Sequence, residues 1–112
     1  MVKHIVMFRF KDDVDENTRK EVANSFRKGI LELKDVIPTI LELKDVIPTI
    51  GNIEVGFNIN PGEQWNICLN SEFRTLEDVI DYGKNPNHVK VAGQLKPYIA
   101  ERSCVDYKTE QD

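Results

Sequence analysis

The stretch GNIEVGFNINPGEQWNICLNSEF, residues 51–73, carries the reading of the fold. Ile53, Val55, Phe57 and Ile59 alternate with Asn52, Glu54, Gly56 and Asn58, the period-two pattern of a strand with one buried face. Asn60-Pro61-Gly62 is a turn signal. Trp65, Ile67 and Leu69 then share one face of a second strand running to about Phe73. Two such strands joined by a turn predict an antiparallel hairpin.

Working outward, each side of the hairpin reads as a helix. Upstream, Val22, Phe26, Ile30, Leu33 and Ile37 recur at steps of three or four. Asp15 or Thr18 can cap that helix, and Thr18 with Glu21 has capping-box spacing. Pro38 disfavours helical geometry at Ile37, so the helix is expected to end near Val36. Downstream, Thr75 and Asp78 open a second helix whose apolar side is Leu76, Val79 and Ile80. Asn85-Pro86-Asn87 interrupts it, and a restart near His88 is expected to turn Val89, Ala92, Leu95 and Ile99 inward, with an end or kink at Pro97. The outermost segments, Val2–Phe10 and about Arg102–Tyr107, read as strands. The order β-α-β-β-α-β predicts a two-layer α+β domain of ferredoxin-like topology.

The first strand adds a constraint on assembly. Val2, His4, Val6, Phe8 and Phe10 fall on one face, and Lys3, Ile5, Met7 and Arg9 on the other. Two helices cover a single face of the sheet, so Ile5 and Met7 need cover from elsewhere. A second copy packed sheet to sheet supplies it, which predicts a homodimer.

Bulk properties narrow the function classes. The chain of 112 residues is the size of one domain, read as residues 1–108 with a polar tail at 109–112. Hydrophobic residues are 40% and charged residues 30%, with a formal charge of −4, which argues against disorder and against a nucleic-acid partner. Membrane spans and an export signal are not expected, and the predicted location is cytoplasmic. Cys68 and Cys104 are then expected to be reduced, packed thiols. No Cys/His spacing fits zinc, so neither a metal site nor a cofactor is predicted. Gly51 and Gly56 do not make a phosphate loop. Asp12, Asp13, Asp15 and Glu16 read as a solvated helix entry. One oddity remains: LELKDVIPTI occupies residues 31–40 and again 41–50. Two copies of a ten-residue unit do not make a solenoid, so one copy is expected to form an excursion at the end of the first helix.

The opening VKHIVMFRFK, the hairpin GNIEVGFNI…WNICLNSEF, the segment DYGKNPNHVKVAGQLKPYI and the closing CVDY together resemble the stress-responsive A/B barrel (Dabb) family. The resemblance spans almost the whole chain once one repeat copy is set aside, and KHIV and NPNHV are its most specific parts. It implies a dimeric α/β barrel. It also relates the chain to cyclases of the olivetolic acid cyclase type, which close a polyketide ring. That relation implies His4, Tyr82 and His88 as catalytic positions. A further tyrosine of that type has no counterpart here, where Ile30 or Ile40 stands.

The residues themselves admit two readings. His4 and His88 could be a structural pair knitting the second helix to the first strand, with the Tyr82 hydroxyl at the surface. Alternatively, a neutral His88 could take a proton from a carbon beside a carbonyl while a tyrosine hydroxyl holds the oxyanion. Val6, Phe8 and Phe26 would line a pocket beneath the helices; Phe57 and Trp65 are further candidates for it, although aromatic residues of this kind more often fill a core. The leading expectation is a homodimeric Dabb protein binding a small hydrophobic or aromatic ligand between sheet and helices without a defined reaction. The alternative is a cofactor-free cyclase or lyase with His88 as general base on a carbonyl substrate.

Overall fold

A computed structural model describes residues 1–36 and 50–109. Strand β1 spans Val2–Phe10, helix α1 Glu16–Val36, strand β2 Ile50–Phe57 and strand β3 Ile67–Phe73. Helices α2, Leu76–Lys84, and α3, Pro86–Leu95, follow. A 3-10 turn at Lys96–Tyr98 leads into strand β4, Ile99–Lys108. The sheet order is β2-β3-β1-β4, and every neighbouring pair is antiparallel. This is the ferredoxin-like arrangement expected from the order of elements. The proposed excursion of one repeat copy concerns residues 37–49, which lie outside the described residues, as do Ile37 and Pro38.

Local chemistry sets the element ends. Asp15, not Thr18, caps α1: its Oδ1 accepts from the Thr18 backbone N–H at 2.7 Å. That hydrogen bond, made to the charged form, holds the Asp15 carboxyl below its ordinary range. Thr75 caps α2 by accepting from the Asp78 N–H at 3.2 Å. Asn85 closes α2 and opens α3, its side chain accepting from the Asn87 N–H at 2.9 Å with Pro86 in the first turn. The restart therefore falls two residues before His88.

The core lies between the sheet and the helices. Val2, Val6 and Phe10 of β1, Ile53 and Val55 of β2, and Ile67, Leu69 and Phe73 of β3 meet Ala23, Phe26, Ile30 and Leu33 of α1. Gly29 brings α1 close to α3, because a Cβ there would sit 3.0 Å from Val91 Cγ1. Several expectations need correction. Ile59 is 96% exposed, because β2 ends at Phe57 and the hairpin connection is a long loop. Trp65 precedes β3. Leu76, Ile80 and Val89 are each about half exposed, because Val79, Tyr82 and Leu95 occupy the buried sides of α2 and α3 instead. Ile99 begins β4, not the end of a helix.

On the opposite sheet face, register places Ile5 beside Val105 and Lys3 beside Tyr107, with Met7 between Cys68 and Ser103. Val105 and Tyr107 are about half exposed. Lys3 pairs with Glu72 at 2.8 Å, and Arg9 with Glu101 at 2.6 Å, so ion pairs flank this apolar strip. No helix among the described residues is long and apolar enough to cross a membrane.

Candidate functional site

A cavity of about 830 Å³ lies between the interrupted helix α2–α3 and residues of β1, β3 and β4. Its floor comes from His4 and Val6 of β1 and Leu69 of β3; its walls include Phe26, Tyr82 and His88. Phe8 also lines it and packs edge-on against Phe26, ring centroids 5.4 Å apart. Val6, Phe8 and Phe26 all line this cavity. Phe57 and Trp65 are not among the lining residues. Ile80 and Val89, half exposed, form part of an apolar rim. The volume suits a small organic molecule, whose pockets typically enclose about 300–1,000 Å³.

His4 is a buried polar residue, 7% exposed. Its Nδ1 lies 2.5 Å from Asp106 Oδ1 on the neighbouring strand, because β1–β4 register sets His4 opposite Asp106. With the proton on Nδ1 the ring donates to the carboxylate and leaves Nε2 as an acceptor. Cys104, two residues along β4, sets its Sγ 3.7 Å from His4 Nδ1 and 3.8 Å from Asp106 Oδ2. Burial, then the Asp106 carboxylate, push the Cys104 thiol up, with Arg102 opposing.

Tyr82 links the two histidines. Its ring centroid is 6.3 Å from that of His4, edge-on, and 4.3 Å from that of His88. The Tyr82 hydroxyl is buried and has no hydrogen-bond partner among the described residues, contrary to the expectation of a surface hydroxyl. The reason is local: α2 turns Val79 and Tyr82 toward the sheet, three residues apart on one helical face. Burial drives the Tyr82 hydroxyl far above its ordinary value, so it stays a proton donor. His88 Nδ1 is likewise buried without a partner. Burial lowers the His88 pKa from 6.5, with the nearby Gly83 backbone working against that and His4 and Arg102 adding to it. The lowering favours the neutral imidazole of His88. The two histidines share one cavity, but the partner of His4 is Asp106.

Asp106 and Cys104 escaped the sequence reading as site residues. They lie 102 and 100 positions from His4, and only strand register joins them. The available signal was the alternation Arg102, Cys104, Asp106, a polar row on the strand face that also carries the cavity.

A four-stranded antiparallel sheet in β2-β3-β1-β4 order, with helices on one face and a partly open cavity between the layers, defines a ferredoxin-like α/β barrel protein. The stress-responsive A/B barrel domain matches residues 2–109, and the chain belongs to that family. It is similar to a dimeric protein of ferredoxin-like fold from Bacteroides fragilis, at 42% identity over 96% of this chain and 95% of that one, TM-score 0.85. Hydroxynitrile lyase from Passiflora edulis shares the fold at 16% identity, covering 97% of this chain and 94% of that one, TM-score 0.71. A Dabb family protein from Mesorhizobium loti does so at 18% identity, covering 96% and 95%, TM-score 0.61. No curated protein matches the chain.

Proposed function

We propose that this chain is a homodimeric barrel protein that takes a small, mostly apolar carbonyl compound into the cavity between sheet and helices and moves a proton on it, with His88 as general base. The observation that carries this reading is the pair of buried, unpartnered polar atoms, Tyr82 Oη and His88 Nδ1, beside a cavity able to hold such a compound. A buried polar atom without a partner costs roughly 1–3 kcal/mol, so a ligand oxygen or carbon acid that engages these groups recovers that cost. Both atoms are shut off from solvent in the unliganded state, so binding requires a small shift of α2–α3.

In this reading neutral His88 accepts the proton from the carbon beside the carbonyl, and the Tyr82 hydroxyl donates a hydrogen bond to the oxygen where negative charge develops. His4, held by Asp106, completes the polar side of the cavity. The dimer is supported by the strip Ile5, Met7, Val105 and Tyr107 on the helix-free face and by the dimeric relative from Bacteroides fragilis. Binding without reaction is the second reading, favoured by the apolar lining of Val6, Phe8, Phe26 and Leu69.

The test is deuterium uptake in D2O at the carbon beside the carbonyl of a panel of aryl methyl ketones and β-diketones, followed by proton NMR. The unaltered protein should accelerate uptake for at least one compound, and His88→Gln should abolish that while folding and dimerisation survive. Equal rates in the two proteins across compounds that bind would leave only the binding reading.

A further inference from the structure

We propose that His4, Cys104 and Asp106 form a binding site for a soft divalent cation of the zinc type, with an open coordination position toward the cavity. One ligand atom from each residue lies within 4.8 Å of the others. Cys104 Sγ is 3.7 Å from His4 Nδ1 and 3.8 Å from Asp106 Oδ2. Tetrahedral zinc with bonds of about 2.0–2.3 Å spaces its ligand atoms by about 3.3–3.7 Å, so the sulfur–nitrogen distance already matches and the sulfur–oxygen distance is about 0.1 Å too long. With Oδ2 as the Asp106 ligand atom, the 2.5 Å hydrogen bond between His4 Nδ1 and Asp106 Oδ1 must break as the carboxylate turns. Asp106 side-chain rotation supplies that movement, since the residue is exposed on the edge strand β4 while His4 is fixed in the sheet.

The donor set suits this class of ion. Thiolate and imidazole select zinc over magnesium or calcium, which take oxygen ligands. All three residues line the cavity, so three protein ligands leave a fourth position facing it, the arrangement of an open rather than a closed zinc site. On binding, Cys104 releases its thiol proton to solvent. His4 exchanges its Nδ1–H tautomer for the Nε2–H form, so that the Nδ1 lone pair meets the metal. Filling the site therefore replaces the His4–Asp106 hydrogen bond. Sequence spacing gave no hint of such a centre, because its residues meet only through the pairing of β1 with β4.

The test uses untagged, chelator-treated dimer titrated with cobalt(II) and then with zinc(II). It reads metal binding rather than turnover, so it stands or falls separately from the proton-transfer reading. One cobalt ion per chain should bind and show a thiolate-to-cobalt charge-transfer band. Cys104→Ser should remove that band, and Cys68→Ser, whose thiol lies on the opposite sheet face, should keep it. Asp106→Asn removes an anionic ligand and should weaken zinc binding by more than the roughly 10–100-fold typical of losing an outer-shell partner. Cys104 and Asp106 are exposed, so both variants are expected to fold, and unchanged melting curves would verify this. Absence of the band in the unaltered protein, or its persistence in Cys104→Ser, would overturn the proposal.

Discussion

Tyr82→Phe separates a hydroxyl kept for a ligand from one kept for the fold. Tyr82 is 3% exposed, and its ring packs against Phe73 at 5.1 Å and His88 at 4.3 Å between centroids. Phenylalanine keeps those contacts and removes only the oxygen. That oxygen is buried and unpartnered among the described residues, a state that costs roughly 1–3 kcal/mol. Removing it should stabilise the unliganded protein, by about 1 kcal/mol after partial relaxation. For a domain of this size that raises the melting temperature by about 4 °C. Binding should move the other way. Loss of the donor to the ligand oxygen should weaken affinity for a bound aryl ketone by about 1.4 kcal/mol, or roughly tenfold. Thermal unfolding at fixed protein concentration reads the first effect, and ligand-observed NMR titration the second. A melting temperature several degrees lower would mean that the hydroxyl has a partner in the fold. Unchanged ligand affinity would remove Tyr82 from the site.

Other outcomes follow from the same structure. Met7→Asp places a charge on the apolar strip of the open sheet face and should weaken the dimer by about 3 kcal/mol, read by sedimentation as dissociation at micromolar concentration; a stable monomer of the unaltered protein would refute the interface itself. Burial lowers the His88 pKa, so acid favours the unfolded chain: this contribution to stability is present above about pH 6.5 and is lost as pH falls from there through the lower folded value. The acid limb of any His88-dependent turnover should accordingly lie below 6.5, and a limb above it would contradict a buried base. Deleting residues 41–50 leaves the junction Ile-Gly unaltered, because both copies end in the same residues, and should not lower the melting temperature. Failure of that variant to fold would show that both copies belong to the core.

The elements were largely legible because period-two and helical spacing are strong in this chain. Val2–Phe10 matches β1 residue for residue, and the break at Asn85-Pro86 was visible from proline chemistry. The misplaced residues share a cause. Leu76, Ile80 and Val89 are apolar at helical spacing, yet they border a cavity and an outer surface, and sequence pattern does not separate a rim from a core. Ile59 continued the alternation of β2 on paper, but Asn58 and Asn60 bend the chain through side-chain hydrogen bonds to the backbone. His4, Tyr82 and His88 were singled out from resemblance, and the cavity joins them. Asp106 and Cys104 were not, because their meeting with His4 depends on the register of strands at opposite ends of the chain.

His4 and His88 are the chain's two histidines, so their imidazole resonances can be assigned from His4→Gln and His88→Gln without ambiguity. The most direct measurement is a nitrogen–proton NMR titration of those rings with an aryl ketone that the protein binds. Both imidazoles should shift together along one saturation curve, and Tyr82→Phe should move that curve to higher ligand concentration. Binding that saturates while both imidazoles stay unmoved would place the ligand elsewhere and contradict the account.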